Sequence, residues 1–335
     1  MKKFYIILFY IFWAGSFYAS NVTIDGIQYD FSENSDTTSV HDGRTCSGNI
    51  VIPSSIFFNN QEYIVTSVDK NAFSGCSGLL SVSLPNTIRF IDESAFSSCN
   101  NLQSIVVPEN VIRLKRSTFA FCSSLASITL PESLQHIESS AFENCTSLTN
   151  IVIPNKVDTI EDHAFNNCTS LTDVQLSDNL TELSDYLFEF CNALQHIEIS
   201  QSVQRFGYSS FFYCTNLRYV NIPENVTSIE YGTFFNCTAL DTIDCYLNAP
   251  ISINSATLYY VPETCKLIVN DGTKSLWENA LYWKNLTIIE RNGVADGLED
   301  IDSKQSHEHR IIFLDGQIYI LRGDKTYTIT GAEVK

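Results

Sequence analysis

From residue 69 to residue 245 the apolar and polar positions follow one order that returns every 23 residues. Each unit carries a Phe, a Cys three residues on and a Leu three further on, from Phe73, Cys76 and Leu79 to Phe234, Cys237 and Leu240. Six after the Cys stands a β-branched residue in every unit, from Val82 to Ile243. Eight after it comes Leu84, Val107, Leu130, Ile153, Leu176, Ile199 or Ile222, with Cys245 the one departure. The stretch Leu-x-x-Val/Ile-x-Leu/Ile alternates apolar and polar residues, the period of a strand with one buried face. Pro follows at positions 85, 108, 131, 154 and 223, where it ends the strand because it has no N–H to give the ladder. A second apolar pair, such as Ile88 and Ile91, predicts another short extended side. The return segment places Phe and Cys three apart, the spacing of one helical turn. One unit buries almost nothing alone, and stacking turns its inward positions into continuous columns. The expected fold is a β-rich solenoid of 23-residue repeats with short helical or irregular return segments.

The residues Ala141 to Ile160 spell Ala-Phe-x-x-Cys-x-x-Leu-x-x-Ile-x-Ile-Pro-x-x-Val-x-x-Ile. This pattern resembles the BspA-type (Treponema pallidum-type) leucine-rich repeat and covers residues 72 to 245. The resemblance implies a leucine-rich repeat solenoid on a secreted or surface-exposed protein of Gram-negative anaerobes or protozoan parasites. Several such proteins act as adhesins for host matrix proteins or for other microbes.

The ends depart from the repeat. Residues 1–20 run from basic (Lys2, Lys3) through apolar (Phe4 to Ala14) to small (Ala14, Gly15, Ser16, Ala19, Ser20), the order of a secretory signal peptide. Residues 21–68 read as an N-terminal β cap, with an Asp25-Gly26 hairpin signal and Val65 and Val68 in phase with Ile88 and Ile91. The array of eight Cys-marked units occupies 69–245, and 246–290 read as a C-terminal cap built on Trp277 and Trp283. Residues 291–310 are polar and read as a linker. Residues 311–335 read as a small β tail that resembles the sorting segment of type IX secretion cargo.

Charge narrows the partners. With 20 Lys+Arg against 38 Asp+Glu the formal net charge is −18, which argues against nucleic-acid binding and against adhesion to anionic lipid. No membrane insertion is expected, and the module is expected to be monomeric. The eleven cysteines admit three readings. Export favours disulfides, but a strict column gives each Cys two equivalent neighbours. Metal binding lacks Cys-x-x-Cys or a nearby His. Packing as small hydrophobes is preferred, with Cys245 and Cys265 set apart as a candidate bridge. No catalytic motif is present, so neither an enzyme nor a cofactor is expected.

The outward positions of each strand lie five and seven after the Cys. They are small in the early units and become polar or aromatic later, where Asp173, Gln175, His196, Glu198, Tyr219 and Asn221 are the candidate partner-binding patch. The sequence therefore points to an exported protein-binding module, a cell-surface adhesin for a host extracellular-matrix or microbial surface protein. The alternative is an envelope spacer with no dedicated ligand.

Overall fold

The computed structural model describes residues 21–31 and 35–294, with the backbone of four short strands between 309 and 334. The segment read as a signal peptide lies outside the described residues. The chain begins with the hairpin Asn21–Ile24 and Ile27–Phe31, turned by Asp25 and Gly26 at φ 52° and 81°. Thr37–Asp42 pairs with its second strand and then, in parallel, with Gln61–Val68. Val68 in turn pairs in parallel with Ile91, and Ser67 with Phe90. The N-terminal sheet therefore runs straight into the repeats rather than standing apart from them.

The coil has three hydrogen-bonded sides. One side is a row of eleven parallel strands, from Gly48–Val51 and Leu79–Ser83 to Lys266–Val269 and Thr287–Glu290, paired in successive sheets of four, two and five. Its register steps by one repeat, as in Ser104↔Ser127 and Tyr219↔Thr242. The sequence clock marks eight of these turns; the structure adds Gly48–Val51 before them and two strands after them, set against the array at Ile50↔Val82 and Thr242↔Lys266. The second side is a ladder of two-residue strands such as Arg113–Leu114 and His136–Ile137.

The third side is the return segment, and here the sequence expectation sharpens. The segment is irregular rather than helical: among the described residues the α-helix is confined to Lys274–Trp277. In each unit two residues take left-handed backbone, for example Ser94 and Ser98 at φ 56° and 60° and Ser140 and Asn144 at 57° and 60°. A left-handed residue at either end stops a helix after one turn. The turns between them send N–H groups to the next coil, as from Phe96 to Thr118 O at 2.9 Å and from Phe119 to Ala141 O at 2.9 Å. The backbone polar groups on this side are thus paired without regular secondary structure.

Inside, the repeated residues form columns. The eight Phe rings from Phe73 to Phe234 stack at 5.1–5.7 Å between centroids and within 3–13° of parallel. The Cys column has a specific hydrogen bond. Phe73 O accepts the N–H of Cys76 at 2.9 Å and the thiol of Cys99 at 3.1 Å. The same thiol-to-carbonyl contact repeats at 3.1–3.2 Å from Cys122 to Phe96 through Cys237 to Phe211. An alanine would fit the corner but leave that second lone pair unused, and a valine would crowd it. The thiol is both small and a donor.

All eleven cysteines are free and buried, Cys245 and Cys265 included. The register explains why those two do not pair. Thr242 faces Lys266 and Asp244 faces Ile268, so Cys265 lies near the start of one strand and Cys245 at the far end of its neighbour. That stagger is about 13 Å along the strands at ~3.3 Å per residue, beyond the ~7 Å limit for a bridge. In native buffer at neutral pH a thiol reagent should therefore modify none of the eleven, and in denaturant without reductant all eleven. A shortfall in denaturant, recovered by reductant, would reveal a bridge and contradict this packing.

Candidate functional site: two exposed faces of the coil

The strand ladder presents the predicted patch, but only part of it is open. Asp173, Gln175 and Glu198 are exposed, and His196 is half-buried with its Nε2 3.2 Å from Glu198 Oε1. Tyr219 and Asn221 are corrections: alternation points them outward, yet they are only 5% and 4% exposed. Asn221 bends back along the ladder, where its Oδ1 accepts the Ile199 N–H at 2.6 Å and its Nδ2 donates to Ile199 O at 2.8 Å. It replaces the backbone pairing that the short strand His196–Ile197 lacks. Tyr219 stacks on His196 at 4.6 Å and donates its hydroxyl to Asp244 Oδ2 at 3.4 Å. Burial, then the charges of Glu198 and Asp244, push its phenol far above the ordinary range.

The group that closes this region comes from a distance. Arg291, in the segment expected to be a solvated linker, donates from Nη1 to Asp244 Oδ1 at 2.8 Å and from Nη2 to Cys245 O at 3.1 Å. Its guanidinium lies 4.0 Å above the Tyr246 ring, and the Tyr246 hydroxyl donates to Asp244 Oδ2 at 3.0 Å. Asp244, only 5% exposed, is thereby a paired buried carboxylate rather than a contact point for a partner.

The second face was not found by the sequence argument. It lies on the return side, at the two positions just before each Cys. In the first five units those positions read Ser74 and Gly75, Ser97 and Ser98, Ala120 and Phe121, Glu143 and Asn144, and Asn166 and Asn167. Further along they include Phe190, Phe212, Tyr213 and Phe235, and the turn of the next coil, where Asn236 N–H meets Tyr259 O, continues them with Tyr259 and Tyr260. The rings form one connected surface: Phe190 meets Tyr213 at 5.4 Å, Phe212 meets Phe235 at 4.9 Å, and Phe235 meets Tyr259 at 5.3 Å. Tyr259 and Tyr260 are 50% and 60% exposed, and the other four are partly exposed.

The position immediately before the Cys is left-handed in every unit, so Phe190 and Tyr213 carry φ of 60° and 58°, and Tyr260, on the turn of the coil after the last such unit, carries 65°. Gly and Asn occupy that backbone most easily, whereas a bulky ring there costs on the order of 1 kcal/mol. The fold does not need aromatics at this column, since Gly75, Ser98, Asn144 and Asn167 serve it elsewhere. The detectable signal was the crowding of aromatics into these two positions from Phe190 onward, where the five earlier units carry one, Phe121.

The model for the BspA type leucine rich repeat region matches in six copies, over residues 49–151, 136–260 and 207–303. The chain belongs to the BspA-type leucine-rich repeat family. A leucine-rich repeat protein from Bacteroides ovatus ATCC 8483 is 26% identical, with a TM-score of 0.54 over 76% of this chain and 80% of its own. The T. pallidum leucine rich repeat protein TpLRR is 27% identical, with a TM-score of 0.48 over 65% of this chain and 90% of its own. A leucine rich cell surface protein from Faecalibacterium prausnitzii A2-165 is 20% identical, with a TM-score of 0.28 over 69% of this chain and 96% of its own. No curated protein matches the chain.

BspA-type repeats build a protein-interaction scaffold, and leucine-rich repeat solenoids are typically non-enzymatic. Among the described residues no helix is long and apolar enough to cross a membrane. What this BspA-type coil offers chemically is surface: a polar strand face at Asp173, Gln175 and Glu198, and an aromatic return face that starts at Phe190, in the same coil as Glu198.

Proposed function

We propose that this BspA-type protein is exported and acts at the cell surface as an adhesin, gripping a host extracellular-matrix protein or a microbial surface protein. The module carries out no reaction. The observation that carries this reading is the aromatic return face: six rings on adjacent columns, partly or largely exposed, three of them in backbone that disfavours them. Tyr and Phe are enriched in the energetic centres of interfaces because they bury large area at small entropy cost. The signal-like residues 1–20 support export, and the exposed Asp173, Gln175 and Glu198 supply a polar neighbour for the same partner.

The test measures binding of the purified chain to immobilised host matrix proteins and microbial surface proteins. Tyr213→Asn and Tyr260→Asn place at those columns a residue the fold already uses at Asn144 and Asn167, so folding should be kept. Each substitution should weaken binding about tenfold or more, the loss expected of an interface hot spot. Saturable binding that survives both changes but is lost on alanine substitution at Asp173, Gln175 and Glu198 would move the site to the strand face. Absence of saturable binding to every partner would favour the envelope-spacer reading instead.

A further inference from the structure

Where the aromatic columns meet the C-terminal cap, the surface sinks into a pocket of about 190 Å³. Tyr259, Tyr260 and Tyr282 wall it, Leu286 contributes apolar surface, and Glu263 supplies a carboxylate; none of the residues that line it is basic. Tyr260 and Tyr282 both hold left-handed backbone, at φ 65° and 68°, and the Tyr259 and Tyr260 rings meet edge to face at 4.4 Å. Glu263 is exposed, so its charge stands at the mouth of an aromatic enclosure. Aromatic faces are electron-rich, and a cation placed over them is attracted by the ring quadrupole. A carboxylate beside such rings adds a charge-assisted hydrogen bond. The net charge of −18 favours the approach of a cationic ligand over long range.

We infer that this pocket takes the guanidinium or ammonium of an Arg or Lys side chain on a protein partner, the aromatic columns receiving the adjoining stretch of that chain. The inference rests on the aromatic face being the partner surface and adds the chemistry of the partner. A protein segment fits better than a free small cation because the pocket opens directly onto the columns: Phe235 lies 5.3 Å from Tyr259 and 5.8 Å from Tyr260. The cationic group thus anchors a chain whose neighbours lie along Phe235, Phe212 and Tyr213.

The experiment titrates the full chain by calorimetry with an arginine-bearing peptide, the same peptide with citrulline in place of arginine, and tetramethylammonium. The arginine peptide should bind saturably, with citrulline weakening it about tenfold or more through loss of the cation. Glu263→Gln and Tyr260→Asn should each cost about tenfold, while the remote exposed carboxylate variant Glu109→Gln should change affinity by less than about twofold, since distant surface charges are screened. Equal binding of the citrulline peptide would overturn the inference. So would an equal loss with Glu109→Gln, which would reduce the effect to diffuse attraction. Tetramethylammonium binding as tightly as the peptide would assign the pocket to small cations and overturn the choice of a protein segment. If Tyr213→Asn abolishes binding to a matrix or surface protein while the arginine peptide never binds, the interaction face stands and its cationic occupant falls.

Discussion

Raising the pH from 9 to 11 should unfold the chain in one cooperative step. The thiols of Cys145, Cys168, Cys191, Cys214, Cys237, Cys245 and Cys265 are all pushed above their ordinary value of 9.0, burial being the main cause. Those of Cys168, Cys245 and Cys265 reach about 12. Between 9 and 12 the unfolded chain has lost these protons and the native chain keeps them. The native state binds more protons there, so stability falls as pH rises, and no such loss occurs below 9. Each thiol contributes about 1.4 kcal/mol per pH unit, and the seven together about 10 kcal/mol per unit. A typical domain holds only ~5–15 kcal/mol in total, which sets the midpoint about one unit above 9. Circular dichroism and thiolate absorbance should change at the same pH. Thiolate appearing near pH 9 with the β signal intact would show that the column is open to solvent. Cys168→Ala should flatten the pH dependence of stability by about one thiol's share, about 1.4 kcal/mol per unit.

The same column shows what a sequence can and cannot reveal about such a molecule. Phe, Cys, Leu and Val/Ile recur because each coil must fill the same space as the last, so buried positions declare themselves by phase alone. Val65 and Val68 were recognisable for that reason, and Val68 does pair with Ile91. The return segment was ambiguous because Phe and Cys three apart suit a helical turn and a string of turns equally. Left-handed residues at Ser140 and Asn144 decide between them, and Ser or Asn in a sequence does not announce that backbone. Tyr219 and Asn221 were placed outward by alternation, which holds for the strand they occupy. Their burial depends on Asp244 and on Arg291, 72 residues beyond Tyr219, and no local pattern carries that information. The aromatic face was overlooked because alternation defines outward positions only on strands; Tyr213 and Tyr260 sit on turns.

Replacing Phe165 with Ala should cost about 3–5 kcal/mol and should also split the unfolding transition. The ring is fully buried, stacked on Phe142 at 5.3 Å and on Phe188 at 5.6 Å. Its truncation leaves a cavity between two flat neighbours that the hydrogen-bonded coils cannot close, which places the loss in the upper range for core truncations, about 3–5 kcal/mol. The topology adds a second consequence. Each coil touches only the coils beside it, so stability is a sum of unit and nearest-neighbour contributions, and a weakened interface in mid-array uncouples its two sides. With the third tryptophan, Trp13, replaced by Phe, Trp277 and Trp283, both fully buried in the C-terminal end, report on one side only, whereas circular dichroism reports on the whole ladder. In the parent chain the two signals should lose structure together on addition of urea. In Phe165→Ala they should separate, fluorescence marking the C-terminal coils and circular dichroism the sum. Phe73→Ala should destabilise the N-terminal end without separating the coils in the middle, because Phe73 stacks within the Phe column only on Phe96, at 5.1 Å. Coincident transitions in Phe165→Ala with a loss under about 1 kcal/mol would mean that the ladders, rather than the stacked rings, hold one coil to the next.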